Sequence, residues 1–138
     1  MAHRDTGTGA VLEKMMLPAL ERGGYSCHAQ VRNGTRLGGG THFVDIVAEK
    51  GGQKLLISVK WQQVSGTAEQ KVPFEIICLE DALRSGEYQR ALVVLGGDGW
   101  KLRDFYVAGG LDDYLKLSGK VEVLTLEASI GRANMGKV

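Results

Sequence analysis

The sequence predicts an α/β fold, a mixed central sheet flanked by helices. Three observations carry this. Apolar residues recur at helical spacing near the start of the chain and again in its middle. Between those two stretches lie three runs with strand alternation, separated by Gly-rich breaks. A continuous apolar run, residues 91–95, follows the second helical stretch and reads as a buried strand. The order is αβββαβ with a further helix and strand. A hairpin meander followed by a helical crossover gives strands of mixed sense.

Each element has its own signal. Residues 8–22 read as a helix, with Thr8 as N-cap and Gly23-Gly24 as its stop. Val11, Leu12, Met15, Met16, Leu17, Ala19 and Leu20 cover one broad arc, Pro18 kinks the helix from the opposite side, and Glu13 falls inside the arc. Residues 25–31 alternate, with Tyr25, Cys27, Ala29 and Val31 on one face, so they form a strand; residues 32–41 are a loop. Residues 42–49 and 54–61 are strands joined by a turn at 50–52. A polar stretch, 62–70, leads to a helix over 73–85 with Pro73 at its first position. Residues 101–117 are helical with a break at Gly109-Gly110, and 121–126 are a last strand. The whole chain, 1–138, reads as a single domain with a core of about 8–126 and a frayed, flexible tail over 129–138.

Composition sets limits. The chain has 138 residues, 43% hydrophobic, 24% charged and 7% aromatic, with a net charge of +1. That suits one folded domain rather than disorder. With no apolar run long enough to span a bilayer and no apolar signal core after Met1, a cytosolic protein is expected, away from membranes. Cys27 and Cys78 are widely spaced and read as reduced, buried thiols. Residues 1–72 carry nine basic and six acidic side chains, the remainder eight and ten. The basic half favours an anionic ligand. The 20 glycines gather between short elements and mark turns.

The chemistry concentrates on the second and third strands. Phe43, Asp45 and Val47 are expected on one face of the second; Leu56, Ser58 and Lys60 share a face of the third, and Leu55, Ile57, Val59 and Trp61 the other. A hairpin brings Asp45 and Lys60 onto neighbouring strands. Two readings fit, an internal ion pair or part of a charged site. Glu75 lies on the helix face with Val72, Ile76 and Leu79, so it points inward; at the third position of a helix starting at Pro73 it would equally serve the N-terminal dipole. Glu13 is either a further inward acid or a boundary residue reaching solvent. Carboxylates that converge repel one another unless a divalent cation sits among them, and oxygen-only ligands suit Mg²⁺, with Mn²⁺ as substitute.

These residues carry a family resemblance. The runs Val44-Asp45-Ile46-Val47 and Leu56-Ile57-Ser58-Val59-Lys60-Trp61-Gln62, in an αβββαβ order over roughly residues 8–95, resemble the PD-(D/E)XK nuclease superfamily. Its motif is an acid in one strand and acid-x-lysine in the next. Val44 stands where the motif has proline, and Ser58 where it has the second acid. The sequence is similar to restriction enzymes of the family in which that acid moves to the following helix; Glu75 fits that position, with Glu69 as the alternative donor. The resemblance implies a restriction-endonuclease-like core and Mg²⁺-dependent hydrolysis of DNA phosphodiesters. Asp45, Glu75 and the Val59 carbonyl would be the metal ligands, Glu13 a water-mediated one, Lys60 the residue acting on the attacking water and the phosphate, and Gln62 a residue orienting either. Gln62 also reads as a plain strand-end residue.

DNA is the implied partner. Arg32, Arg36 and Thr41, in or beside the glycine-rich loop, suit phosphate contact, although a simple hairpin loop explains them as well. Gln62, Gln63 and Lys71 suit contact with DNA backbone or base edges, or contact between protomers. A homodimer is expected if both strands are cut. A non-cleaving DNA-binding module of the same fold and a branched-DNA resolvase are the alternatives. Restriction, repair, recombination and mobile-element roles all stay open. Trp61 and Trp100 read as core or interface, and His3, His28 and His42 share no ligand spacing.

Overall fold

The computed structural model describes residues 6–35 and 37–138. Its centre is a five-stranded sheet in the order β1-β2-β3-β4-β5: β1 (Ser26–Thr35), β2 (Thr41–Lys50), β3 (Gln53–Trp61), β4 (Arg90–Gly96) and β5 (Val121–Thr125). β1, β2 and β3 are an antiparallel meander; β4 and β5 join parallel to β3. Lys50 pairs with Gln53 across Gly51 and Gly52, whose φ angles of 59° and 79° make the tight two-residue turn that a twisted hairpin requires. The sheet is mixed and α/β, as expected.

Helices cover both faces. The first helical stretch is α1 (Thr6–Val11), a π turn (Leu12–Met16) and α2 (Leu17–Arg22). With α5 (Leu126–Asn134) it buries Leu12, Met16, Leu20 and Ala133 against Ile46, Ile57, Val59, Leu92 and Val94. On the other face lies α3 (Ala68–Leu83), the crossover between β3 and β4, with the short α4 (Arg103–Val107). Their Val72, Ile76, Leu79 and Tyr106 pack on Val44, Val47, Leu56, Val93 and Leu95. β4 is buried on both sides, which is why it reads as an unbroken apolar run.

Several elements differ from the sequence reading. Pro18 acts through the π turn ahead of it, where the Leu17 N–H reaches back to the Leu12 carbonyl; a regular helix would press the Pro18 ring onto the Lys14 carbonyl. A π turn holds more residues than an α turn, so the arc drawn at α spacing shifts. Met15 and Glu13 fall outside the core. β1 runs on to Thr35, because residues 31, 32 and 35 keep pairing with β2, and the described part of the loop shrinks to 37–40. α3 starts at Ala68, not Pro73. Pro73 offers no N–H to the Glu69 carbonyl, and the Tyr106 hydroxyl donates to it instead at 2.8 Å, which lets proline sit inside the helix.

The end of the chain is not frayed. Thr125 caps α5 by accepting the Ala128 N–H at 3.2 Å, Ser129 and Ala133 are buried, and the Val138 N–H donates to the Tyr25 hydroxyl at 3.0 Å. The domain core therefore continues past residue 126. Cys27 is only half-buried; burial and the nearby Glu21 push its thiol up to about 11, and neither cysteine is in a disulfide. Gly23 ends α2 so close to α5 that a β-carbon there would lie 1.8 Å from the Ala133 carbonyl oxygen. The Lys50 ammonium joins these helix ends, donating to the Gly23 and Gly136 carbonyls at 2.8 and 3.2 Å. Gly131, in α5, faces open space. Gly23→Ala should cost about 3 kcal/mol, because two packed helix ends must separate. Gly131→Ala should gain about 0.5–1 kcal/mol from helix propensity alone. Urea unfolding of the two variants checks both.

Candidate active site

The site forms where β2 parts from β3. Regular pairing stops at Ile46 with Ile57. Along β2, Val44 and Val47 join the core under α3 while Ile46 and Ala48 join the opposite one, so facial alternation breaks at Asp45. Phe43, Asp45 and Val47 thus do not share a face. Phe43 is exposed, Val47 lies in the core, and the Asp45 carboxylate accepts the Val59 N–H at 2.7 Å. That side chain takes the place of a ladder bond. In extended backbone a residue's N–H and C=O leave on the same edge, so the Val59 carbonyl opens on the same gap.

β3 keeps its alternation. Leu55, Ile57, Val59 and Trp61 pack under the α1–α2 layer, and Ser58 and Lys60 face α3. Glu75 meets them from α3: its Oε2 accepts the Ser58 hydroxyl at 3.1 Å and lies 3.7 Å from the Lys60 ammonium. Its Oε1 lies 2.7 Å from His42 Nε2. Since α3 starts five residues earlier than expected, Glu75 is no N-terminal dipole acid. Its inward direction has to be explained by these partners. Burial alone would raise its carboxyl. The His42 hydrogen bond, the Lys60 charge, the His42 charge and the Ser58 hydroxyl outweigh that and hold it below the ordinary value. Glu75 is therefore ionised at neutral pH.

The other acids lie elsewhere. Glu69 is buried, and one of its oxygens accepts the N–H groups of Lys101 and Leu102, fixing the segment that leads into α4. It anchors that loop. Glu13 is exposed on the π turn of the layer opposite α3 and, among the described residues, has no hydrogen bond or ion pair to this cluster. The displaced arc turns it toward solvent.

Gln62 is engaged as well. It is buried, its amide donates to the Gly99 carbonyl at 2.8 Å, and its oxygen accepts the Ala68 N–H at 3.0 Å. It caps α3 and ties the loop after β3 to the loop after β4. Arg32, Thr41, Gln63 and Lys71 are exposed, as DNA contact requires; Arg36 lies outside the described residues. Trp61 and Trp100 pack against the two cores, and Trp100 donates to the Gly96 carbonyl at 2.7 Å. His42 is the functional candidate that spacing missed. The signal was its place two residues before Val44, which puts it on the α3 face of β2.

The donors suit a hard cation. Asp45, Glu75 and the Val59 carbonyl offer oxygen only, and Asp45 meets Val59 between the residues whose side chains meet Glu75. Among the described residues no group of three His, Cys, Asp or Glu side chains is placed to hold a metal. The protein would thus supply two carboxylates and a carbonyl, with water and phosphate completing the shell, as Mg²⁺ prefers.

No curated protein matches the chain in sequence. The crystal structure of a protein of unknown function, AF1548, is similar, with a TM-score of 0.49 at 12% identity. The match covers 78% of this chain and 53% of that one, so this chain spans about half its length. No helix among the described residues is long and apolar enough to cross a membrane. The PD-(D/E)XK nuclease superfamily domain matches over residues 4–136, nearly end to end. The chain belongs to the PD-(D/E)XK nuclease superfamily, a family of nuclease-type hydrolases that generally use divalent metals.

Proposed function

We propose that the protein is a Mg²⁺-dependent endonuclease that hydrolyses DNA phosphodiester bonds. The observation that carries the reading is the meeting of Glu75 with Ser58 and Lys60 beside the gap where Asp45 holds Val59. Asp45, Glu75 and the Val59 carbonyl would hold the cation. When bound, the ion would lower the pKa of a water and neutralise charge gathering on the phosphate. Lys60, about one-quarter exposed, keeps its ammonium between Glu75 and solvent. From there it would hold the attacking water and donate to the phosphate oxygen as negative charge develops. Ser58 is no ligand on charge grounds; it orients Glu75. Lys71 lies one helical turn before Glu75 and, with Arg32, Thr41 and Gln63, would track the DNA backbone. Two copies would be needed to cut both strands, so a homodimer is part of the proposal.

One observation favours a second reading. The strand position of the motif's second acid is Ser58, and Glu75 is already engaged by His42, Ser58 and Lys60. In that reading the chain keeps DNA binding and has lost cleavage. Supercoiled plasmid separates the two. The endonuclease converts it to nicked and linear forms with Mg²⁺ and not with EDTA, and Lys60→Ala slows this by about 10²–10³-fold. Plasmid shifted on a gel but left intact by wild type and variant alike establishes the binding module. Cleavage that persists in EDTA rules out the proposed mechanism.

A further inference from the structure

We infer that His42 is a positioning residue for Glu75, an inference that rests on the nuclease reading of the same site. Glu75 hangs from α3 and not from the strand that carries Ser58 and Lys60. Sheet register fixes a strand acid; an acid on a helix is placed by helix packing and by several rotatable side-chain bonds. Something must hold such a carboxylate still if it is to serve with Asp45. His42 does this. The ring is 5% exposed, and Nε2 lies 2.7 Å from Glu75 Oε1. An ionised carboxylate only accepts, so Nε2 carries the proton and donates it.

The two oxygens of Glu75 then have separate partners. Oε1 belongs to His42, and Oε2 faces Ser58 and Lys60. His42 lies on β2, three residues before Asp45. One hydrogen bond therefore ties the acid on α3 to the strand that bears the other acid. A relocated carboxylate is registered in this way to β2, the neighbour of the strand it left. Hydrogen bonds to ligating side chains commonly govern metal affinity and rate by about 10–100-fold.

The test uses the full chain with two readouts, Mn²⁺ affinity by calorimetry without DNA and plasmid cleavage in Mg²⁺. His42→Gln keeps a side-chain N–H donor; His42→Leu keeps bulk without one. The expected result is that both variants unfold cooperatively, that Leu weakens Mn²⁺ binding and lowers kcat about 10–100-fold with KM for DNA unchanged, and that Gln recovers at least half of the loss on a logarithmic scale. Equal losses in both variants, or wild-type affinity and kcat in His42→Leu, overturn the role of His42 while leaving the nuclease reading intact. Wild-type protein that neither binds Mn²⁺ nor cuts would remove that reading, and the role of His42 with it.

Discussion

Asp45→Asn should abolish plasmid cleavage, with a rate loss of about 10³-fold or more, while leaving thermal stability nearly unchanged. The asparagine oxygen can still accept the Val59 N–H that Asp45 takes at 2.7 Å, so the splayed edge of β3 keeps its partner. What disappears is the negative charge offered to a cation. Asp45→Ala makes the contrast. It loses activity equally, but it also strands the Val59 amide beside the gap and should cost about 1–3 kcal/mol. Paired melting curves and cleavage assays read both effects. Cleavage by Asp45→Asn within tenfold of wild type would exclude Asp45 as an ionised ligand.

The two glutamates of α3 should separate just as cleanly. Glu75→Gln keeps the shape and an acceptor for the Ser58 hydroxyl but removes the charge facing Lys60. It should lose about 10²–10³-fold in cleavage, the range typical of removing one preorganised charged group. Its melting temperature should fall modestly, because the favourable His42, Lys60 and Ser58 interactions it loses outweigh burial, while the burial penalty that goes with the charge offsets part of that loss. Glu69→Ala should do the reverse. The Lys101 and Leu102 amides would both lose their acceptor, a cost of about 2–4 kcal/mol. The melting temperature should fall by about 7–14 °C. At a temperature where the variant is folded, cleavage should stay within a few-fold of wild type. If Glu69→Ala kills cleavage in the folded protein and Glu75→Gln does not, the assignment of the relocated acid is reversed.

The parts of this molecule that were legible in its sequence are those set by local periodicity. The alternation of β3 placed Ser58 and Lys60 on one face and Val59 and Trp61 on the other, and the fold bears that out. Glu75 was read as inward from its helical neighbours, and its partners lie there. Misreadings arose where a distant group satisfies the backbone. Pro73 looked like a helix start because nothing in its neighbourhood announces that Tyr106 takes the orphaned Glu69 carbonyl. The true start at Ala68 takes its side-chain cap from Gln62, six residues away, while the adjoining Thr67 makes no cap bond. Gly131 disguised α5, although Leu126, Ser129, Ile130 and Ala133 recur at helical spacing. Asp45 escaped the alternation rule because its side chain replaces a ladder bond, and Glu13 because a π turn shifts the helical phase. His42 pairs with Glu75 across 33 residues, a distance no local pattern spans.

The central claim is that Asp45, Glu75 and the Val59 carbonyl serve one hard cation. Anomalous diffraction from crystals soaked in Mn²⁺ tests it most directly. A single strong peak should lie within about 2.0–2.3 Å of an oxygen from each carboxylate, with the Val59 carbonyl as third protein ligand. Saturating Mn²⁺ that leaves this gap without a peak, or that binds where neither carboxylate reaches, would contradict the account.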